Sequence, residues 1–334
     1  MSAIGSILYL NHGLTRPLDS KVARVMAVLL EESARDSSLL PADTGLAQQV
    51  LEEARLRVAA LAGAVPEEVL FTSGATEANN LALKGSGLAP GDEILVGATE
   101  HSSVQHPART LEKQGVRLRW IPVDRQGRVD PAWVESEIGP STRLVAVMAA
   151  NNETGTLQQV GQIGSVCRAA GVRFLIDAAA AAGQMPLEAR RWGADLLSLS
   201  AHKLGGPRGV GALVARQGVR LLPLIEGGVQ EGGRRGGTEN LPGIAGFGEA
   251  AALALRGLAE RAGRLGRWRD RLWRALNTRV QGLVRHSGAT EALPGLLSFS
   301  VPGAEGEALL IGLWSRGVAA SSGSACYAHA GKPS

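Results

Sequence analysis

Cysteine is nearly missing from this 334-residue chain: Cys167 and Cys326 are the only two. Two thiols form no disulfide framework and no metal-ligand spacing, so no stapled scaffold and no metal site is expected. No apolar run approaches the ~18 residues of a membrane span. The first residues, MSAIGSILYLNHG, lack a basic stretch followed by a long apolar one, so no signal peptide is expected. The net charge is only +4, and no block of Lys and Arg reads as a nucleic-acid or membrane patch. These absences lead us to expect a cytoplasmic protein. Lysine is scarce too: Lys21, Lys84, Lys113, Lys203 and Lys332 stand against thirty arginines. That scarcity narrows the search for a reactive amine.

What is present is ordinary for a soluble globular protein: 45% hydrophobic and 20% charged residues. The length suggests about two domains at roughly 100–200 residues each. Short apolar runs alternate with helix-length segments. Strands are expected over 69–71, 94–96, 118–122, 144–149, 174–176, 196–199 and 210–214, with helices over 22–34, 47–62, 76–84, 103–114 and 163–170. This alternation predicts an α/β layered domain with a mainly parallel sheet. After about Gly246 the texture changes. One or two helices are expected over 249–280, then a strand over 296–301 and a helix over 306–315. We read this as a smaller α+β domain.

Ligands of open α/β sheets collect at the carboxyl ends of strands, and four such ends here are polar. In Ser73-Gly74-Ala75-Thr76, a tight turn opens a helix whose free N–H groups suit a phosphate; Thr76 with Asn79 nearby is also what a capped helix start looks like. Asn151, Asn152 and Glu153 follow an apolar strand, as ligand donors or as an Asx turn. Asp177 ends a strongly apolar strand. A buried carboxylate there needs a cation, which a protonated pyridine nitrogen would provide; it could equally cap the alanine-rich segment that follows. Ser200, His202 and Lys203 leave a strand into a glycine-rich turn. Lys203 is the one lysine at a strand end beside ligand-type residues, where a lowered pKa makes an amine nucleophilic.

Two other segments stand out. The glycine-rich stretch 227–238 carries adjacent Arg234 and Arg235 and reads as an anion site or as a surface loop. Ser321-Ser322-Gly323-Ser324-Ala325-Cys326 sets a thiol among small polar neighbours, unlike Cys167, which sits as a small hydrophobe in a helical stretch.

In this order, the motifs TSGATE (72–77), Glu100-His101, Asn151-Asn152-Glu153 with Gly155, Asp177-Ala178, Ser200 with His202-Lys203 and Gly206-Pro207, Arg235 with Gly237-Thr238, and SSGSAC (321–326) resemble the cysteine desulfurases. These are class-V aminotransferase-like, fold-type I pyridoxal-phosphate (PLP) enzymes, and the SSGSAC loop is similar to that of the iron–sulfur-supplying subgroup. The resemblance implies a large PLP domain over 14–246 and a small domain from 1–13 and 247–334. It implies that Lys203 binds PLP covalently, that Asp177 pairs with its pyridinium nitrogen, that His101 stacks on its ring and that Asn152 meets its phenolic oxygen. Ala75, Thr76, Ser200 and His202 would hold the phosphate, and Thr238 would reach the phosphate of a neighbouring subunit in a homodimer. Asn152 and Arg235 are the candidate substrate contacts. L-cysteine would become L-alanine while Cys326, as a thiolate, takes the sulfur as a persulfide and passes it to an acceptor or iron–sulfur scaffold protein.

The chain departs from the family's pattern in places. Ala180 stands where a glutamine usually follows the pyridine aspartate. Asn11-His12-Gly13-Leu14-Thr15-Arg16 replaces an acidic start with an Ala-Thr-Thr run. Arg35-Asp36-Ser37-Ser38 replaces an Asn-Pro-Ser-Ser stretch with a nearby histidine. The sequence ends eight residues after Cys326, before the segment that carries the family's carboxylate-gripping arginine; Arg16, Arg234 and Arg235 are the alternatives for that role. Two other readings stay open: a PLP lyase or aminotransferase with another substrate, and a truncated paralogue that binds PLP or partners and turns over poorly.

Overall fold

The computed structural model describes residues 7–35, 43–286, 288 and 291–323, which leaves Cys326 outside the described residues. In chain order the elements are β1 (Leu8–Tyr9), α1 (Ser20–Arg35), α2 (Asp43–Ala62), β2 (Val69–Thr72), α3 (Ala75–Lys84), β3 (Glu93–Gly97), α4 (Ser102–Lys113), β4 (Arg117–Ile121), α5 (Pro131–Glu137) and β5 (Thr142–Ala146). Then follow α6 (Val160–Ala170), β6 (Arg173–Asp177), β7 (Leu196–Ser200), β8 (Gly211–Ala215), α7 (Leu241–Leu255), α8 (Leu258–Asn277), β9 (Val284–Arg285), β10 (Phe299–Ser300), α9 (Gly306–Trp314) and β11 (Val318–Ala319).

The seven expected strands form one sheet in the order β2-β8-β7-β6-β5-β3-β4. β3 pairs in parallel with β4 and β5, and β5 to β7 continue the parallel run. β8 runs antiparallel to both β7 and β2, so β2 points the same way as the parallel strands. The carboxyl ends of β2 to β7 therefore share one edge.

Strands buried on both faces read as continuous apolar runs, and successive side chains leave on opposite sides. Leu70, Ile94, Leu144, Leu175 and Leu196 pack with Ala78, Leu81 and Ala82 of α3 and Val104 and Ala108 of α4 on one face. Their neighbours Phe71, Leu95, Val145, Phe174, Ile176 and Leu197 enter the opposite core with Val58 of α2, Ile163 and Cys167 of α6, and Phe247 and Ala251 of α7. Each fully buried large side chain contributes about 1.5–3 kcal/mol, so a one-residue slip in register would exchange the two layers. α7 lies close on α2: a Cβ at Gly248 would come within 2.7 Å of the Ala54 Cα.

Two expectations change in detail and one open alternative is settled. β5 stops at Ala146, although Val147 and Ala149 still donate to the Leu175 and Asp177 carbonyls. The segment 249–280 is two helices, broken at Gly257, whose φ of +67° favours glycine. In the expected strand 296–301 only Phe299–Ser300 pairs, with Val284–Arg285. The helix α5 was not anticipated, although Asp130 caps it and Pro131 opens it. β1, early in the chain, pairs in parallel with β11, late in it.

Candidate active site

The sheet edge gathers the predicted residues from five strand ends. At the end of β6, Asp177 is buried. Its Oδ1 accepts from the Ala179 N–H at 2.9 Å, so it does cap the following segment. Its Oδ2 accepts from Asn79 Nδ2 at 2.8 Å. No Lys, Arg or His among the described residues forms an ion pair with it. A buried carboxylate without a cation is costly, and this one can receive a cationic ring nitrogen.

Asn79 extends that contact. Fully buried on α3, it also donates to Ser103 Oγ at 2.9 Å. Ser103 Oγ lies 2.8 Å from His101 Nδ1, and the Ser103 N–H donates to the same nitrogen at 3.1 Å. With the amide N–H aimed at Nδ1, that nitrogen is the acceptor and the imidazole proton sits on Nε2. A chain of hydrogen bonds thus runs from Asp177 through Asn79 and Ser103 to His101, which caps α4. Beside it, Glu100 is buried, with Oε1 accepting from the Met148 N–H at 2.7 Å. Burial, and then the nearby Asp177 charge, push its carboxyl well above the usual range. Its protonated form is thereby favoured.

The start of α3 forms a cradle. Gly74 adopts φ +156° and its missing side chain leaves the Ser200 Oγ within reach: a Cβ would sit 3.9 Å from it. Gly211, between them, approaches so closely that a Cβ would meet the Gly74 Cα at 2.5 Å. The N–H groups of Ala75 and Thr76 open the helix and point to where an anion is favoured. Glu77, in the first turn, is turned back onto the Ser73 N–H at 2.7 Å and Arg235 Nε at 3.1 Å.

After β7, Lys203 is half-buried, whereas Lys21, Lys84 and Lys113 are exposed. Its Nζ donates to the Gly13 carbonyl. His202 lies 3.3 Å from Thr15 Oγ1, and its carbonyl accepts from the Arg16 N–H at 3.0 Å. Burial, then the charges of Lys203 and Arg208, lower the His202 pKa to about 4, so its ring is neutral. The N-terminal segment 13–16 is thus laid along the Lys203 turn.

Asn151 behaves as an Asx turn: its Oδ1 accepts from the Glu153 and Thr154 N–H groups, both at 2.9 Å. Asn152 follows it, half-buried at the same edge. Ala180 is partly buried just past Asp177. Cys167 is buried, and that burial pushes its thiol up to about 12, consistent with an inert core residue.

The loop 227–238 is anchored rather than loose. Glu231 is buried with φ +50° and accepts from both Arg55 Nη atoms at 2.8 Å and from the Phe71 N–H at 3.1 Å. Arg235 is held by Glu77 and Arg234 by the Glu231 carbonyl. Thr238 lies exposed beyond them. Sequence reasoning missed Asn79 as a partner of Asp177, and it missed Glu231. For Asn79 a signal existed, since it is a polar residue on the buried face of α3 among Ala78, Leu81 and Ala82.

The sequence profile of the aminotransferase class-V family matches residues 9–333. The chain belongs to the class-V aminotransferase family. Its members are PLP enzymes, and the residues here fit that group: a helix-start cradle for a phosphate, a buried carboxylate lacking a cation, and a half-buried lysine lie on one edge. The chain is similar to the cysteine desulfurase IscS of Dictyoglomus turgidum, 37% identical over 98% of this chain and 84% of that protein. It is similar to cysteine desulfurase IscS 1 of Archaeoglobus fulgidus, 39% identical over 98% and 86%. Among solved structures, a NifS-like protein superposes with a TM-score of 0.89 at 32% identity, covering 95% of this chain and 87% of its own. SspA in complex with cysteine superposes with 0.83 at 29% identity over 98% and 92%. The mainly parallel sheet between helices is thus the fold-type I arrangement of this family. No described helix is long and apolar enough to cross a membrane.

Proposed function

We propose that this chain is a PLP-dependent cysteine desulfurase that converts L-cysteine to L-alanine and passes the sulfur onward from Cys326. The observation that carries the reading is the placement of Asp177, a buried carboxylate without a cationic partner among the described residues, beside Lys203, the half-buried lysine at the next strand end of the same edge. When bound, PLP supplies an electron sink for the carbon that bears the substrate's amino group. Asp177 would pair with the ring nitrogen and favour its protonated form, with the Asn79 and Ala179 hydrogen bonds holding the carboxylate in place. His101, its proton set on Nε2 by Ser103, offers a flat face to the ring. Ala75, Thr76, Ser200 and neutral His202 would hold the phosphate, and Asn152 would meet the phenolic oxygen. The Lys203 amine takes the proton from the substrate's α-carbon. The Cys326 thiolate attacks the substrate sulfur: an S–S bond forms, the C–S bond breaks, and its electron pair stays with the carbon skeleton, which gains a proton at that carbon, takes its α-proton back from Lys203 and leaves as alanine.

Several further parts belong to the same proposal. The persulfide goes to an acceptor protein for iron–sulfur cluster or thio-cofactor synthesis. Thr238 completes the phosphate site of a second copy; exposed Leu222, Leu224, Ile225 and Val229 on the approach to Thr238 support such an interface. The division into a large domain of 14–246 and a small one of 1–13 and 247–334 is supported by the pairing of β1 with β11, while the buried Phe247 and Ala251 of α7 favour ending the large domain after that helix.

Borohydride reduction of the PLP-treated protein, followed by peptide mass mapping, tests the reading. The cofactor is expected on the peptide containing Lys203. Its attachment to another lysine, or to none, would overturn the assignment.

A further inference from the structure

A cavity of about 480 Å³ opens beside the Lys203 turn, walled by Tyr9, Thr15 and Arg16 on one side and Gly206, Pro207 and Arg208 on the other. Its walls are the two segments that flank the lysine. The 11–16 segment is fixed in place: the Tyr9 hydroxyl donates to the Asn11 and Thr15 carbonyls at 3.0 and 3.1 Å, the Arg16 N–H donates to the His202 carbonyl, and Lys203 Nζ donates to that of Gly13.

The charges around this cavity have one sign. The Arg16 guanidinium is partly buried and forms no hydrogen bond or ion pair with any described residue. Burial, and then Arg261, lower its pKa, and Arg16 in turn lowers that of His12. Lys203 and Arg208 act on His202 in the same sense. The other arginines considered for anion binding are already occupied, Arg235 by Glu77 and Arg234 by the Glu231 carbonyl, and the neighbouring Arg261 is held by the Gly183 and Ala254 carbonyls. An unpaired, partly desolvated guanidinium among other cations is completed by an anion, and a planar carboxylate matches its fork.

We propose that Arg16 binds the α-carboxylate of the amino-acid substrate. This inference rests on the reading of Lys203 as the reactive amine. An α-amino acid carries its amino and carboxylate groups on one carbon, so the cation that holds the carboxylate must stand on a segment adjoining the lysine. Arg16 does, and its backbone is tied to the residue before Lys203.

The test uses the PLP-loaded full chain and its Arg16→Gln, Arg16→Lys and Arg235→Gln variants. Affinity is measured by spectral titration with L-cysteine and with cysteamine, which has the same thiol and amine but no carboxylate, and by calorimetry with 3-mercaptopropionate, which has the carboxylate but no amine. Arg16→Gln should bind L-cysteine and 3-mercaptopropionate about 10- to 150-fold more weakly, with cysteamine and PLP affinity unchanged. Arg16→Lys, which keeps the charge without the fork, should recover only part of the loss. Unchanged 3-mercaptopropionate affinity in Arg16→Gln, or a loss confined to Arg235→Gln, overturns the proposal. A loss of PLP affinity in Arg16→Gln assigns the guanidinium to the cofactor's phosphate and overturns it as well. Failure of the proposed function is a separate outcome: the unsubstituted protein would then make no alanine from L-cysteine, whatever Arg16 binds.

Discussion

Asn79→Ala probes the least expected feature of the site. The side chain is fully buried, and its Nδ2 donates to Asp177 Oδ2 at 2.8 Å and to Ser103 Oγ at 2.9 Å. A hydrogen bond to a charged acceptor contributes about 1.5–3 kcal/mol and one to a neutral acceptor about 1. Removing the amide therefore costs about 2.5–4 kcal/mol, and Asp177 Oδ2 is left buried without a donor. Asn79 Oδ1, which has no partner, gives nothing back when removed except a relieved desolvation penalty, which places the expected loss nearer the lower end. Urea unfolding of the cofactor-free protein, monitored by circular dichroism, measures it. A second readout separates positioning from bulk stability: with Asp177 unanchored, affinity for PLP should fall in Asn79→Ala while a cavity of similar size elsewhere, such as Leu81→Ala, leaves it unchanged. A stability loss below about 0.5 kcal/mol with unchanged PLP affinity would refute the reasoning.

Other outcomes follow from the same geometry. Glu231→Ala leaves Arg55 and the Phe71 N–H without their buried acceptor; breaking such a pair costs about 3–5 kcal/mol, read as a lower denaturation midpoint and new proteolytic cleavage within 227–238. In the cofactor-free protein, His202 stays neutral down to about pH 4 where the free side chain titrates near 6.5. The unfolded chain binds the extra proton between those values, so stability is fully present above 6.5 and is lost as pH falls toward 4. Solvent screening at this half-exposed site limits that loss to about 1–2 kcal/mol, and His202→Asn should flatten it in pH-dependent unfolding. Cys326→Ser should retain PLP while losing persulfide, detected by labelling with a thiol-reactive probe after incubation with L-cysteine.

The fold was legible where hydrophobic period alone decided it. Each strand of the large sheet appears as an apolar run whose alternate residues serve two cores, as Phe174, Leu175 and Ile176 do. Elements of two residues, such as β1 and β11, carry no period to read, and their pairing depends on contacts across almost the whole chain. At the site, residues at strand ends announced themselves because polar groups directly follow apolar runs: Asp177, Ser200 and Lys203 are of this kind. Residues that act through others did not. Glu231 looks like any charge in a glycine-rich loop until Arg55, 176 positions away, reaches it. Of the two readings of Asp177, the cap is seen directly at Oδ1, while Oδ2 accepts from Asn79, a partner that the chain order does not announce. Arg16 was readable only as a departure from a pattern, since what makes it notable is the lack of a partner among the described residues in three dimensions.

The most direct test of the account is the conversion of L-cysteine by the PLP-loaded protein, measured as L-alanine and sulfide in the presence of an external thiol. The account predicts equal amounts of the two, produced over many turnovers, and none from Lys203→Ala. Pyruvate with ammonia in place of alanine, or turnover that survives in Lys203→Ala, would contradict it.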